Sequence, residues 1–342
     1  MRWAVAICVA LLSIIHASTV AAAYQGNSEF PSAESVMRWI NNYRLKPEPA
    51  RLPAAVRTMS SLGAFKDAES SGVHVGLMAG VLGANPARAE KLVGRMLTIP
   101  ETDQWAIVRA VAYSGLPDWK DLLRKFSDRM PARKVMIDKY LSGALPTLDA
   151  IPFEKKNPTL WDKITGKPSN PSAATFDHNP ELLDTLWGIY FATGSDRPLL
   201  RIAAILPWSK ERDSTERLTV GSMAKFTLTN NAARNPDLLA RLKQVREQQP
   251  KEVAVVLRDV IDAAETMDAT RVRKESLAAI EDLKRKGPGT KRDVSFWGQV
   301  GQGALALGCI VAASTGHIEF GIPCVVGGAT STAILHFWSN QQ

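Results

Sequence analysis

The side chains able to do chemistry are few and scattered along the chain. Ser222 and Lys225 have the S-x-x-K spacing, which on a helix puts a lysine one turn from a serine it could help to deprotonate. The K-T-G and the S-D-N or Y-x-N elements that complete such a site are missing, so a serine and a lysine on a helix surface are the simpler expectation. Asp177 and His178 are adjacent and could act as a general acid-base pair. They also stand beside Asn179, which is expected to cap a helix starting at Pro180, and a capping cluster explains them without catalysis.

Metal and nucleotide motifs break off early. His317, Glu319, Pro323 and Cys324 give an H-x-E and a P-C of the kind that holds zinc in deaminases, but the second cysteine position is Gly327. Gly166 and Lys167 lack the upstream glycine and the following Ser or Thr of a phosphate-binding loop. His74, His178, His317 and His336 show no metal-ligand spacing. No cofactor or metal is therefore expected. The chain reads as non-enzymatic, and any catalytic site would have to converge from several helices.

The elements that would position these residues differ sharply in composition. Residues 1–23 carry one positive charge at Arg2, an apolar run from Trp3 to Ile15 and a small-residue end at Ala21, Ala22 and Ala23. This is the outline of a secretory signal peptide and predicts an exported protein, periplasmic or membrane-anchored and facing outside the cytoplasm. The formal charge of +8, from 42 basic and 34 acidic residues, is spread along the chain. It suits a solvated surface with some attraction to anionic lipid or cell-wall polymer, not a nucleic-acid partner.

From Val294 to Gln342 the only formally charged residue is Glu319. Two apolar runs of roughly spanning length flank a short turn, which predicts a glycine-rich helical hairpin over 290–342 and membrane association through 294–338. Ala304, Gly308, Ala312 and Gly316 recur every fourth residue and make a small-residue packing ridge. Pro323 and His336 weaken the second run as a span, and a hairpin buried in a soluble core fits the same composition. Cys309 and Cys324 face each other across the turn; a disulfide would stabilise the hairpin by about 3 kcal/mol, and two buried thiols are the alternative.

Between these ends the apolar spacing is helical throughout. A first helix capped by Ser32 carries Val36, Ile40 and Tyr43; a second carries Val56, Met59 and Leu62; a third runs from Gly72 to Gly83. Helices then start near Pro86, Pro117, Pro198 and Pro236, at intervals of 31, 81 and 38 residues. Their expected inward residues are Ala89, Leu92 and Met96; Leu122, Leu123 and Phe126; Leu199, Ile202 and Leu206; and Leu239, Leu242 and Val245. A helix after Pro180 buries Leu183, Leu186, Trp187, Tyr190 and Phe191, and two charged amphipathic helices fill 251–286, with i to i+4 pairs Glu281–Arg285 and Asp282–Lys286.

Over roughly residues 50–250 this pattern loosely resembles the αα-hairpin repeat class that includes TPR and HEAT-like arrays, although no W-x-x-L-G-x-x-Y run is present. The resemblance implies an all-α, irregular solenoid-like array that binds a protein or envelope component on a concave face. A proline-rich loop at 145–179 separates an N-terminal helical region, 24–144, from a C-terminal one, 180–289, and its Phe153, Leu160, Trp161 and Phe176 are expected to dock on the helices. The leading expectation is an exported, membrane-associated scaffold. An envelope hydrolase and a secreted effector that inserts its hairpin into a target membrane are the alternatives.

Overall fold

A computed structural model describes residues 29–154, 174–266, 278, 281–282 and 285. The signal segment, most of the second charged helix, Leu160, Trp161, the Cys309–Cys324 pair, the ridge from Ala304 to Gly316 and the whole tail hairpin lie outside the described residues. Within them the protein is all-α, with twelve α-helices and no strand.

The centre of the fold is a helix pair whose backbones touch. Helix α3 (Gly72–Ala84) is uncharged and apolar on every side, a composition stable only in a fully buried helix. It lies against α8 (Glu181–Thr193), which is equally enclosed. A Cβ on Gly72 would meet the carbonyl oxygen of Glu181 at 2.3 Å, one on Gly76 that of Thr185 at 2.0 Å, and one on Gly80 the Cβ of Ala192 at 2.6 Å. Gly188 answers from the other side, 2.2 Å from the carbonyl oxygen of Val73. The contacts ascend together, so the helices run parallel. Glycine weakens an isolated helix by about 1 kcal/mol per residue; here the missing side chains let the backbones meet and gain dispersion and Cα–H···O contacts. The four-residue spacing expected to make a ridge in the tail makes one in α3.

The other helices wrap this pair. Helix α1 (Ala33–Tyr43) is capped by Ser32, whose hydroxyl accepts from the Ser35 amide while the Ser35 hydroxyl accepts from the Ser32 amide. Its face of Val36, Ile40 and Tyr43 is buried as expected, with Trp39 added. Helix α2 (Leu52–Ser61) buries Val56 and Met59, but Leu62 lies beyond its end and is 52% exposed. Gly63, at φ 78°, reverses the chain there. Next come α4 (Pro86–Met96), α5 (Trp105–Tyr113), α6 (Trp119–Ser127) and α7 (Lys134–Leu141), with α5 against α3. After α8 follow α9 (Asp196–Ala204), α10 (Thr215–Arg234), α11 (Pro236–Arg246) and α12 (Lys251–Glu265).

The expected starts hold at Pro86 and Pro236, each the first helical residue. Pro117 stops two residues short of α6, and Pro198 is third in α9, which Ser195 caps. On α11 the buried side chains are Leu238 and Leu242, with Leu239 and Val245 half-buried, because the helix rests on its neighbours one residue earlier than the pattern indicates. Before α8 the cap residue is Pro180, not Asn179; the Asn179 amide donates to the carbonyl of Thr175 instead. Arg285 pairs with Asp282 at 2.8 Å, three residues away, while Lys286 lies outside the described residues.

Sequential helices pack as hairpins in several places, as an array would have them. The most extensive contact, however, joins α3 to α8 across four intervening helices, whereas a strict solenoid repeat touches only its neighbours. The described helices share one contiguous core from Phe30 to Ala264. The two ends of the 145–179 segment are clamped together on it. The Phe176 and Asp177 amides donate to the Pro152 and Phe153 carbonyls at 3.2 and 3.1 Å. Arg201 of α9 donates to the Leu148 and Ile151 carbonyls at 2.8 and 2.9 Å and covers the rings of Phe153 and Phe176. These two aromatics dock as expected.

Candidate functional site

Of the candidates drawn from the sequence, Ser222 changes most. It sits on α10 at 1% exposure, beside Gly221, whose position leaves no room for a Cβ against Trp208 and Ser209. It is therefore a packing residue and not a surface serine. Lys225, one turn on, directs its Nζ to 3.9 Å from Oδ2 of Asp259, a carboxylate that Lys210 also approaches at 3.6 Å. An ammonium held by a carboxylate is a poor base for a serine that substrate cannot reach.

Asp177 is 6% exposed, and its Oδ1 lies 2.8 Å from Nδ1 of the more exposed His178. Burial raises the Asp177 pKa, but hydrogen bonds from His178 and Thr175 and the charge of Arg217 outweigh it, so the carboxyl titrates below its ordinary range. Such an acid stays ionised and orients an imidazole. The pair stands where the Asp177 amide closes the 145–179 segment, which agrees with a structural cluster. Among the described residues no group of three His, Cys, Asp or Glu side chains is placed to hold a metal ion, and no helix is long and apolar enough to cross a membrane.

A concavity among the described residues lies elsewhere, between the end of α2, the turn before α5, and α7. It is a cleft of about 710 Å³ lined, among the described residues, by Ser60, Phe65, Lys66, Ala68, Pro100, Thr102, Asp103, Trp105, Arg109 and Met136. Its walls follow from local sequence. The turn at Gly63 delivers Phe65 and Lys66, and the Ser71 hydroxyl, donating to the carbonyl of Ala64 at 2.7 Å, closes the loop that carries them. Trp105 and Arg109 are four residues apart on α5 and share a face. The guanidinium stands 4.8 Å over the indole ring, and the indole N–H donates to the carbonyl of Phe65 at 3.1 Å. Asp103 accepts from Ser60 at 2.6 Å and from Thr102 at 3.1 Å.

Behind Arg109 is a buried polar network. Tyr113 and Tyr140 meet edge to face with ring centroids 6.3 Å apart; burial raises the pKa of both phenols, and the charge of Arg109 acts against the rise. Glu181, at the start of α8, is pushed up to about 7, foremost by burial; its own amide and Arg109 act against this, and Glu69 and Asp67 add to it. Arg109 makes no ion pair with a described carboxylate, and its buried Nε has no acceptor among the described residues. Cation, hydroxyls and aromatic walls can hold an anion; an activated nucleophile is not among them. Sequence motifs miss this site because its residues converge from the end of α2, the loop after it, the turn before α5, α5 itself and α7. One signal was available: Arg109 is the single charge in the otherwise apolar stretch WAIVRAVAY, and a lone arginine in a buried helix needs a polar partner.

Comparison with protein-family models, curated proteins and solved structures finds no match for the chain.

Proposed function

We propose that this is an exported binding protein, with a helical body that takes its ligand or partner in the Arg109 cleft and a tail, residues 294–338, that holds the body at a membrane. The observation that carries the binding half is an arginine without an ion-pair partner among the described residues, set on a tryptophan in the wall of an open cleft. That arrangement suits recognition, since it offers charge and stacking surface with no acid-base pair aimed at either. Burial of Ser222 counts against the hydrolase alternative.

The membrane half is supported by composition. Apolar faces from all twelve described helices meet in one core, while the sequence from Val294 onward keeps two long runs with one formal charge.

Fractionation tests this directly, comparing the full chain with one ending at Gly289. The full chain should stay with membranes through carbonate and leave in detergent, while the shortened chain should be released and keep its thermal midpoint. Carbonate release of the full chain, with loss of the folded state on shortening, would overturn the tether and place the tail in the core. Dye leakage from liposomes caused by the full chain alone would favour the membrane-inserting alternative.

A further inference from the structure

The geometry points to a small carboxylate carried on an aromatic ring as the ligand of the Arg109 cleft. The assignment rests on the binding role proposed above and adds the chemistry of the ligand. Charge comes first. The described lining holds two cations, Lys66 and Arg109, and one carboxylate, Asp103, whose oxygens already accept from two hydroxyls. Neither cation forms an ion pair with a described residue. A guanidinium presents its donors in a planar fork that matches a carboxylate in shape as well as charge.

The second half comes from the walls. Phe65, Trp105, Pro100 and Met136 supply flat or flexible apolar surface, and Trp105 is fixed in orientation by its hydrogen bond to Phe65 and by the guanidinium above it. A ring entering here stacks on a preorganised indole while its carboxylate reaches Arg109, with Lys66 at the exposed rim. The volume of about 710 Å³ admits a ligand of one or two rings. The same chemistry occurs in free aryl-alkyl acids and in a chain-terminal aromatic residue.

The test uses the full mature chain in mild detergent, titrated calorimetrically with 3-phenylpropanoate, its amide, acetate, inorganic phosphate and N-acetylphenylalanine. Saturable binding of 3-phenylpropanoate is expected, with the amide and acetate each weaker by about tenfold or more, since one lacks the charge and the other the ring. A stronger response to N-acetylphenylalanine marks a chain terminus as the source, and a weaker one marks a free acid; both keep the ligand class. Arg109→Gln should lower affinity about tenfold. Lys66→Ala, on the exposed rim, should lower it about threefold and reduce its salt dependence without touching the Tyr113–Tyr140 network, so the test survives if the Arg109 variant misfolds. Equal binding of acetate or phosphate, equal binding of the amide, no saturation, or unchanged affinity in both variants overturns the assignment. Because the assay runs in detergent, its failure leaves the tether intact, and failed membrane retention leaves the ligand class intact.

Discussion

At the scale of single residues, two partly buried titratable side chains on the central helix pair act in opposite directions. Burial pushes Glu181 up from 4.5 to about 7. Between these values the folded state binds a proton that the unfolded state has released, so this group lowers stability as pH rises from about 4.5 to about 7. His74 on α3 is pushed down from 6.5 to about 4 by burial, and its Nδ1 has no hydrogen-bond partner among the described residues. Between about 4 and 6.5 the unfolded state binds the proton, so this group raises stability as pH rises. The two slopes overlap and cancel over much of the acid range, each amounting to at most about 3 kcal/mol in full. Chemical denaturation against pH should therefore be nearly flat near pH 5–6 for the natural chain. Glu181→Gln should expose a rising profile and His74→Leu a falling one; parallel profiles in all three proteins would show that neither group is perturbed as described.

At the scale of elements, the glycines of α3 and α4 make opposite demands. Alanine at Gly76 places a Cβ 2.0 Å from the Thr185 carbonyl oxygen, where two backbones must separate. We expect Gly76→Ala to cost about 3 kcal/mol or more. Gly94 on α4 has its nearest neighbour, an edge of the Phe126 ring, at 3.6 Å. Gly94→Ala should stabilise by about 0.5–1 kcal/mol through helix propensity alone. Thermal unfolding of both variants checks the contrast, and equal effects would mean that α3 and α8 do not touch as closely as shown. The helices themselves were legible in the sequence, because apolar period, proline at first positions and Ser32 as a cap are local signals. What α3 packs against was not. Gly72, Gly76 and Gly80 announce a close approach, but nothing near them names Thr185 or Gly188, and only the tertiary pairing decides whether such a ridge meets a helix or lipid. Ser222 was misplaced for the same reason: Trp208 and Ser209 cover α10 where its own sequence reads as polar.

At the scale of the molecule, the proline-rich stretch reads in sequence as a divider between two helical regions, yet the contacts across it are the densest in the fold. Helix α3 belongs to the first region and α8 to the second. Trp187 of α8 then donates to Thr227 of α10 at 3.1 Å, which carries the connection onward to the C-terminal helices. The segment ends are fastened by the Phe176–Pro152 and Asp177–Phe153 hydrogen bonds and by Arg201, so chain continuity between them adds little to the contacts. A protease site inserted between residues 155 and 173 tests this. After cleavage the two pieces should co-elute as one species and unfold in one transition, because the interfaces among the described residues that join them are intact. The midpoint should also become dependent on protein concentration, since unfolding now releases two chains and mass action opposes it less on dilution. Separate folded pieces, or two transitions at different temperatures, would mean that the halves are independent domains and that the glycine-lined contact is incidental to their stability. The cleft is a sensitive companion readout: its described lining comes from residues before 154, but Glu181 stands behind its arginine. Ligand affinity that survives cleavage and falls only on dilution of the pieces would show that α8 supports the site from the far side of the cut.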